Sequence, residues 1–353
     1  GVNSMKAVLR GLRDYNVNSY TVTLKSNEKK YCVVTISAKD YYTLQSESEL
    51  MLIVDGMEIF TGIINKINFD YLNNKYIITL DELAYKLAID YDLLSKSASF
   101  DITYTSMTSD TILSEILAET AYTVGYVPSQ TITELKGDKL NRYEWLRLLA
   151  DNCVCGIDAN GKYTTDSANI VSEQTACDVW TVGNEIYIGV NGCTRSNKSS
   201  HVWSKKTCDI TNAIIDIPEI EINVHPVQKV IVIGKNNVTG EASVGTNPTI
   251  VITDDSCVDV AACEKRAKDE LSKQNKFASL TLNVNPDLFY SKVIELGCHV
   301  TINEPAFVAG TYEIIEMEIT NDKCSITLDR PKKRLETILD DLKRRMNLIE
   351  RWR

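Results

Sequence analysis

Glu49-Leu50-Met51-Leu52-Ile53-Val54-Asp55-Gly56-Met57-Glu58-Ile59-Phe60-Thr61-Gly62-Ile63-Ile64, continued by Asn65 to Leu83, reads as a β-meander. Asp55-Gly56 separates two apolar runs and is a tight-turn signal, because Gly accepts φ > 0 and Asp bonds its own backbone. Leu72-Asn73-Asn74 separates two further runs rich in Ile, Phe and Tyr. Gly62 falls inside a strand pattern, where Gly marks a bulge or a barrel bend.

The same text returns near the C-terminus. Laid without a gap, 62–81 and 310–329 share Gly62/Gly310, Ile67/Ile315, Asn73/Asn321, Lys75/Lys323 and the tetrapeptides Ile78-Thr79-Leu80-Asp81 and Ile326-Thr327-Leu328-Asp329. Upstream, Val54-Asp55-Gly56 falls opposite Ile302-Asn303-Glu304. An internal repeat governs the reading of a chain. It predicts a mainly β fold with an α+β insertion: two related small β-barrels, an inserted α/β domain and a C-terminal helix.

Working outward, Ala7-Val8-Leu9, Tyr20 to Leu24 and Tyr31 to Ile36 are strands that complete the first barrel, assigned to residues 5–95. Residues 96–205 form the insertion. A helix opens at Ser109-Asp110-Thr111 with Ile112, Ile116 and Leu117 on one side. A second runs from Asn141 to Asp151 with Trp145, Leu148 and Leu149 on one face. A hairpin turns at Asn160-Gly161, Ile186 to Val190 is a strand, and 192–206 is a loop. Residues 206–331 are assigned to the second barrel with one helix, capped by Thr253-Asp254-Asp255-Ser256 and running to about Asn275.

Residues 332–353 stand apart. They carry eight Lys/Arg and four Asp/Glu, a local charge of +4 against −10 for the whole chain. Leu335, Leu339, Leu342, Met346 and Ile349 recur in steps of four and three. They form the candidate helix interface, either a short heptad seam or the apolar face of a helix packed on its own barrel.

With 353 residues, 44% hydrophobic and 24% charged, the chain is long enough for two or three folded domains. A net charge of −10 lacks the basic face that nucleic-acid binding needs. No apolar run is long enough for a membrane span. Gly1-Val2-Asn3-Ser4 resembles an expression scar, and no signal peptide is evident. The ten cysteines are scattered, which suits reduced thiols buried as small apolar residues.

No catalytic constellation emerges, and no cofactor, metal or enzymatic activity is expected. His201, His225 and His299 lie in different segments, and no His-Glu-x-x-His motif exists. Cys153-Val154-Cys155 is read as strand cysteines on opposite faces, since Cys177 and Cys193 do not complete a zinc spacing. Asp254-Asp255 is a helix cap and Asp340-Asp341 a solvated face. Gly183, Gly189 and Gly192 fit no nucleotide fingerprint, and Asp158-Ala159-Asn160-Gly161 is a turn, not a calcium loop.

The order of these parts resembles the tail hub family of phage tails and contractile injection systems, the late-control-D or baseplate-hub type. The motifs are Val54-Asp55-Gly56 with Ile59-Phe60-Thr61-Gly62, then Tyr143 to Ala150, the turn Asp158 to Tyr163, the strand Val227 to Gly234, the helix with Ala262, Ala267 and Leu271, and Gly310-Thr311-Tyr312 before Ile326 to Asp329. The resemblance covers most of 5–331. It implies a homotrimeric ring at the tail tip, matching a six-fold tail tube to a central spike protein, with DNA or another payload only in transit. It places the chain in a virion or phage-tail-like particle made in the host cytoplasm. Nothing after Pro331 reads as a β-helical spike, so the basic helix is expected to dock on another baseplate component or to trimerise. Two other classes remain open: a tail-borne cell-wall hydrolase, and a glycan- or peptide-binding tail-tip module.

Overall fold

The computed structural model describes residues 6–26, 28–40, 44, 48–89, 101–138, 140–160, 162–191, 202–203, 205–222, 227–243, 245–254, 257–272, 277–305 and 308–328. Six strands open the chain: β1 Ala7–Arg10, β2 Asp14–Lys25, β3 Tyr31–Ser37, β4 Glu49–Val54, β5 Met57–Asp70 and β6 Lys75–Glu82. Their order is β1-β4-β5-β6-β3-β2, and β2 returns to β1, so the ring closes. Alternation decides which side is inside. Leu9, Val22, Cys32, Val34, Ile36, Leu50, Leu52, Ile78 and Leu80 are buried in the barrel. The Asp55-Gly56 turn has φ of 48° and 83°, as the dipeptide predicts for a two-residue hairpin loop. Gly62 lies where β5 passes closest to β6: a Cβ there would sit 2.3 Å from the Asp81 carbonyl oxygen.

The insertion holds β7 Asp101–Thr108, α1 Ser109–Leu117, β8 Thr123–Tyr126, β9 Thr131–Asp138, α2 Arg142–Asn152, β10 Val154–Ile157, β11 Tyr163–Thr164, β12 Ser172–Ala176, β13 Asp178–Val182, β14 Glu185–Gly189 and β15 Val202–Trp203. Three small sheets, β7-β9, β13-β14-β8 and β12-β10-β11-β15, surround the two helices. Asn141 and Glu144 form a reciprocal capping box that starts α2. Trp145, Leu146 and Leu149 of α2 pack with Ile112, Leu113 and Ile116 of α1 in one apolar core.

The chain then returns to the main sheet through β16 Thr207–Asp209 and β17 Ile214–Ile222. Residues 221–278, which the sequence reading joined to the second barrel, cluster as a compact unit of their own. In it β18 Lys229–Ile233 pairs antiparallel with β19 Thr239–Ser243 and parallel with β20 Thr249–Thr253, and α3 Val260–Ser272 follows. Val230, Val232, Ala242, Cys263 and Ala267 form its core. Asp259 caps α3, accepting from the Ala262 N–H at 2.7 Å. The cap predicted at 253–256 lies upstream of the helix, which starts at Val260, and Asp254 instead pairs with Arg266 of α3 at 3.2 Å.

Strands β21 Phe277–Val284, β22 His299–Ile302, β23 Gly310–Thr320 and β24 Cys324–Leu328 complete the main sheet. The second half has the order β16-β22-β23-β24-β21-β17, strand for strand that of the first. Cys32, Val34 and Ile36 pair Leu80, Ile78 and Tyr76; Leu280, Leu282 and Val284 pair Leu328, Ile326 and Cys324. Both β5–β6 and β23–β24 carry a register shift at the same place, Ile64↔Leu80 to Lys66↔Thr79 and Ile314↔Leu328 to Glu316↔Thr327. Leu50↔Gly62 corresponds to Val300↔Tyr312. The two halves are therefore the same meander. The gapless alignment is right along β6 and β24 and slips by two residues along β5 and β23, because the β23–β24 turn is shorter. Tyr312, not Gly310, occupies the place of Gly62.

The halves differ in closure. β16 runs parallel to β22, whereas β1 runs antiparallel to β4. Among the described residues only the first half closes into a barrel. The two join edge to edge: β2 pairs β23 from Thr21↔Thr320 to Lys25↔Glu316. Around that seam the Tyr20 and Tyr290 hydroxyls meet at 2.5 Å, and Lys25 reaches Glu316 at 3.1 Å.

Candidate functional site

Two clusters of titratable groups among the described residues hold parts of the fold together. His299, the only described histidine, lies 3.8 Å from Glu313, whose other oxygen pairs with Lys205 at 2.7 Å. The Lys205 ammonium also sits over the Tyr163 ring at 4.6 Å. Burial pushes the Glu313 carboxyl up, but Lys205 and His299 outweigh it and hold the group below the usual range. This cluster ties β11 of the insertion to β22 and β23. His201, His225, Cys193, Asp255, Asp340 and Asp341 lie outside the described residues, as do Leu335, Leu339, Leu342, Met346 and Ile349.

The Cys153–Cys155 expectation is corrected. Residues two apart on a strand share a face, and Cys153 in fact caps the end of α2. Cys153, Cys155 and Cys177 all enter the insertion core. Burial pushes the Cys153 thiol up to about 12. A hydrogen bond with Cys155, then burial, raises Cys177. At neutral pH neither Cys153 nor Cys177 is therefore held as the thiolate that nucleophilic attack needs. Among the described residues no three His, Cys, Asp or Glu side chains group as metal ligands.

A second cluster fixes the insertion to the first barrel. Asp178 at the start of β13 accepts from Lys30 at 3.1 Å, Arg147 at 3.2 Å, Asn191 at 2.7 Å and its neighbour's Val179 N–H at 2.8 Å. Burial raises this carboxyl, and the Lys30 and Arg147 charges reverse the sign and hold it low. Alongside, the Tyr143 hydroxyl donates to Glu82 at 2.7 Å. Nothing in the sequence marks Asp178, because its partners lie 148 and 31 residues away.

Among the described residues, one stretch of backbone edge and one aromatic tip lie open together. β4 covers β5 only as far as Ile63, and the Ile64 N–H makes one last bond to Ser48. From Asn65 to Asp70 the outer edge of β5 pairs with no described strand. Beyond it the turn is fixed by Asp70, which accepts from the Leu72 and Asn73 N–H groups at 3.1 and 3.2 Å. Phe69 stacks near Tyr76 at 4.8 Å between ring centres. Tyr71 and Leu72 at this tip are 84% and 92% exposed.

The sequence matches no family model and no curated protein. The fold has solved counterparts. A 43 kDa tail protein of prophage MuSo2 from Shewanella oneidensis superimposes with a TM-score of 0.60 at 11% identity, over 93% of this chain and 97% of that one. This is the fold of phage tail proteins. A tail protein from Neisseria meningitidis MC58 gives 0.59 at 15% identity over 93% and 97%. The Escherichia coli c3393 protein, described as a type VI secretion component resembling T4 tail proteins gp27 and gp5, gives 0.51 at 12% over 93% of this chain and 78% of its own.

Proposed function

We propose that the chain is a structural tail-hub protein of a phage tail or phage-tail-like contractile particle, without catalytic activity. Three copies form a ring that matches a six-fold tail tube to a central spike and lines the payload conduit. The observation that carries this reading is the duplicated meander: two equivalent halves per chain give three copies six equivalent positions. The fold shared with tail proteins over nearly the whole chain supports it. A net charge of −10 suits a channel past which DNA moves without sticking. The basic segment 332–353 serves as the contact to another baseplate component through Leu335, Leu339, Leu342, Met346 and Ile349.

Mass in solution together with negative-stain images tests the proposal. Rings of three subunits are the expected result. A chain that stays monomeric at every concentration and cleaves peptidoglycan removes it.

A further inference from the structure

We infer that β17 of one copy adds to the free edge of β5 in the next copy, repeating between chains the seam that β2 and β23 make within one. The inference deepens the hub reading and rests on it. Three observations carry it.

First, equivalent edges meet different fates. Residues 315–320 of β23 are covered by β2 and by the Ser26 N–H. The equivalent stretch of β5, Asn65–Asp70, is uncovered among the described residues. The equivalent of β2 in the second half is β17, which pairs β21 on one side and no described strand on the other. Each half thus has one β2-type edge and one β5-type edge, and only one of the two possible junctions is made inside the chain. Unpaired edges of this length invite strand addition.

Second, the register can be read. The Asn285 N–H donates to Ala213 O at 3.0 Å, which sets Ala213 beside Asn285. Asn285 follows Val284, the counterpart of Ile36, so Ala213 takes the place one step before that of Val17, which pairs Ile36 in the first half. Allowing for the extra residue that β2 carries between Val17 and Ser19, Glu219 stands where Thr23 stands. Thr23 pairs Glu318, the counterpart of Asn68. Glu219 of one copy therefore falls opposite Asn68 of the next, with Ile217 opposite Asp70. Pro218 lacks an N–H and is tolerated on such an edge.

Third, the junction brings together apolar groups that are otherwise stranded. Ile215 is 63% exposed near the start of β17. The same register places it beside the turn that bears Tyr71 and Leu72. The contact is head-to-tail, so it closes into a ring when the rotation allows.

The test uses full-length Glu219→Cys and Asn68→Cys, mixed in equal amounts and oxidised gently with copper phenanthroline. Both positions are exposed, and every described native cysteine is buried except the half-buried Cys208. The expected result is a disulfide-linked dimer about ten times more abundant in the mixture than with either variant alone, since the bond needs Cβ atoms within about 4.5 Å. Pairing Asn68→Cys with Glu241→Cys on β19 is the control and gives no such product. Rings that form without any cross-link from positions 217–220 to Asn68→Cys overturn this inference and leave the hub standing. Cross-links in particles that are not three-membered rings support the edge pairing and remove the trimeric hub. A monomer with no cross-link overturns both.

Discussion

Replacing Asp178 by Asn removes the carboxylate that pairs with both Lys30 and Arg147 while keeping shape. The Asp178 side chain is 4% exposed, and its partners are 12% and 16% exposed. Removing one member of a buried ion cluster costs about 3–5 kcal/mol, because the charges left behind have lost both water and counter-charge. Asn still accepts from the Val179 N–H and the two cations keep some solvent, which puts Asp178→Asn near the lower end, about 3 kcal/mol. With a urea slope of about 2 kcal/mol per molar, the unfolding midpoint falls by about 1.5 M. Fluorescence follows it, since Trp145 is buried in the insertion core and Trp180 packs against that core. The pH dependence adds a second readout. The folded Asp178 carboxyl is more acidic than the unfolded one. Its contribution is therefore complete above the unfolded value of about 3.9 and is lost as pH falls through the lower folded value. The gap between native protein and variant is full at neutral pH and closes as pH falls through the lowered folded value. A midpoint that does not move at neutral pH, or a gap that persists undiminished in acid, refutes the assignment of Asp178 as the clasp.

Gly62→Ala puts a Cβ 2.3 Å from Asp81 O and 2.7 Å from the Phe60 ring, so the barrel must shift; a loss of about 2 kcal/mol by urea denaturation is expected for such overpacking. Asn141→Ala removes the side-chain half of the capping box and costs about 1 kcal/mol, read in the same way. Leu113→Ala empties a fully buried site between α1 and α2 and lowers stability by about 3 kcal/mol. Burial pushes Cys153 and Cys324 up to about 12 and Cys298 up to about 11. Iodoacetamide followed by peptide mass spectrometry should label these three at mildly alkaline pH only after unfolding; prompt labelling of the folded protein contradicts their placement.

The repeat was legible because turn dipeptides and period-two alternation are local, and both survive duplication at low identity. The two-residue slip was not. A shift of two returns every side chain to the same face, so alternation cannot distinguish Gly62/Gly310 from Gly62/Tyr312. Only the ladder, with its matching irregularity at Ile64–Lys66 and Ile314–Glu316, fixes the correspondence. The apolar spacing of the 141–151 helix is likewise local, and α2 is found at Arg142–Asn152 with Asn141 as its cap. The start of α3 was lost because Asp254 and Asp259 are equal candidates by composition. In the structure Asp259 takes the cap and Asp254 pairs with Arg266, twelve positions on. Asp178 shows the limit from the other side, since a clasp made by three segments distant in sequence leaves no mark in any one of them.

The duplication also explains why the exposed edges exist at all. β5 has 14 residues and β4 has six, so the hairpin outruns its neighbour and leaves backbone donors and acceptors facing outward. In the second half β22 has four residues and β23 eleven, the same imbalance, and there β2 makes good the difference. A short covering strand beside a long hairpin is thus a property of the repeated unit, not an accident of one copy. Natural sheets blunt a long free edge with lysine, proline or a bulge. On β5 only Lys66 and the irregularity beside it serve that end, while Ile67 and Phe69 remain as good strand formers. An edge so lightly defended persists in a folded protein when something occupies it. The occupant we propose, β17 of another copy, would repeat a geometry already present in the chain where β2 meets β23.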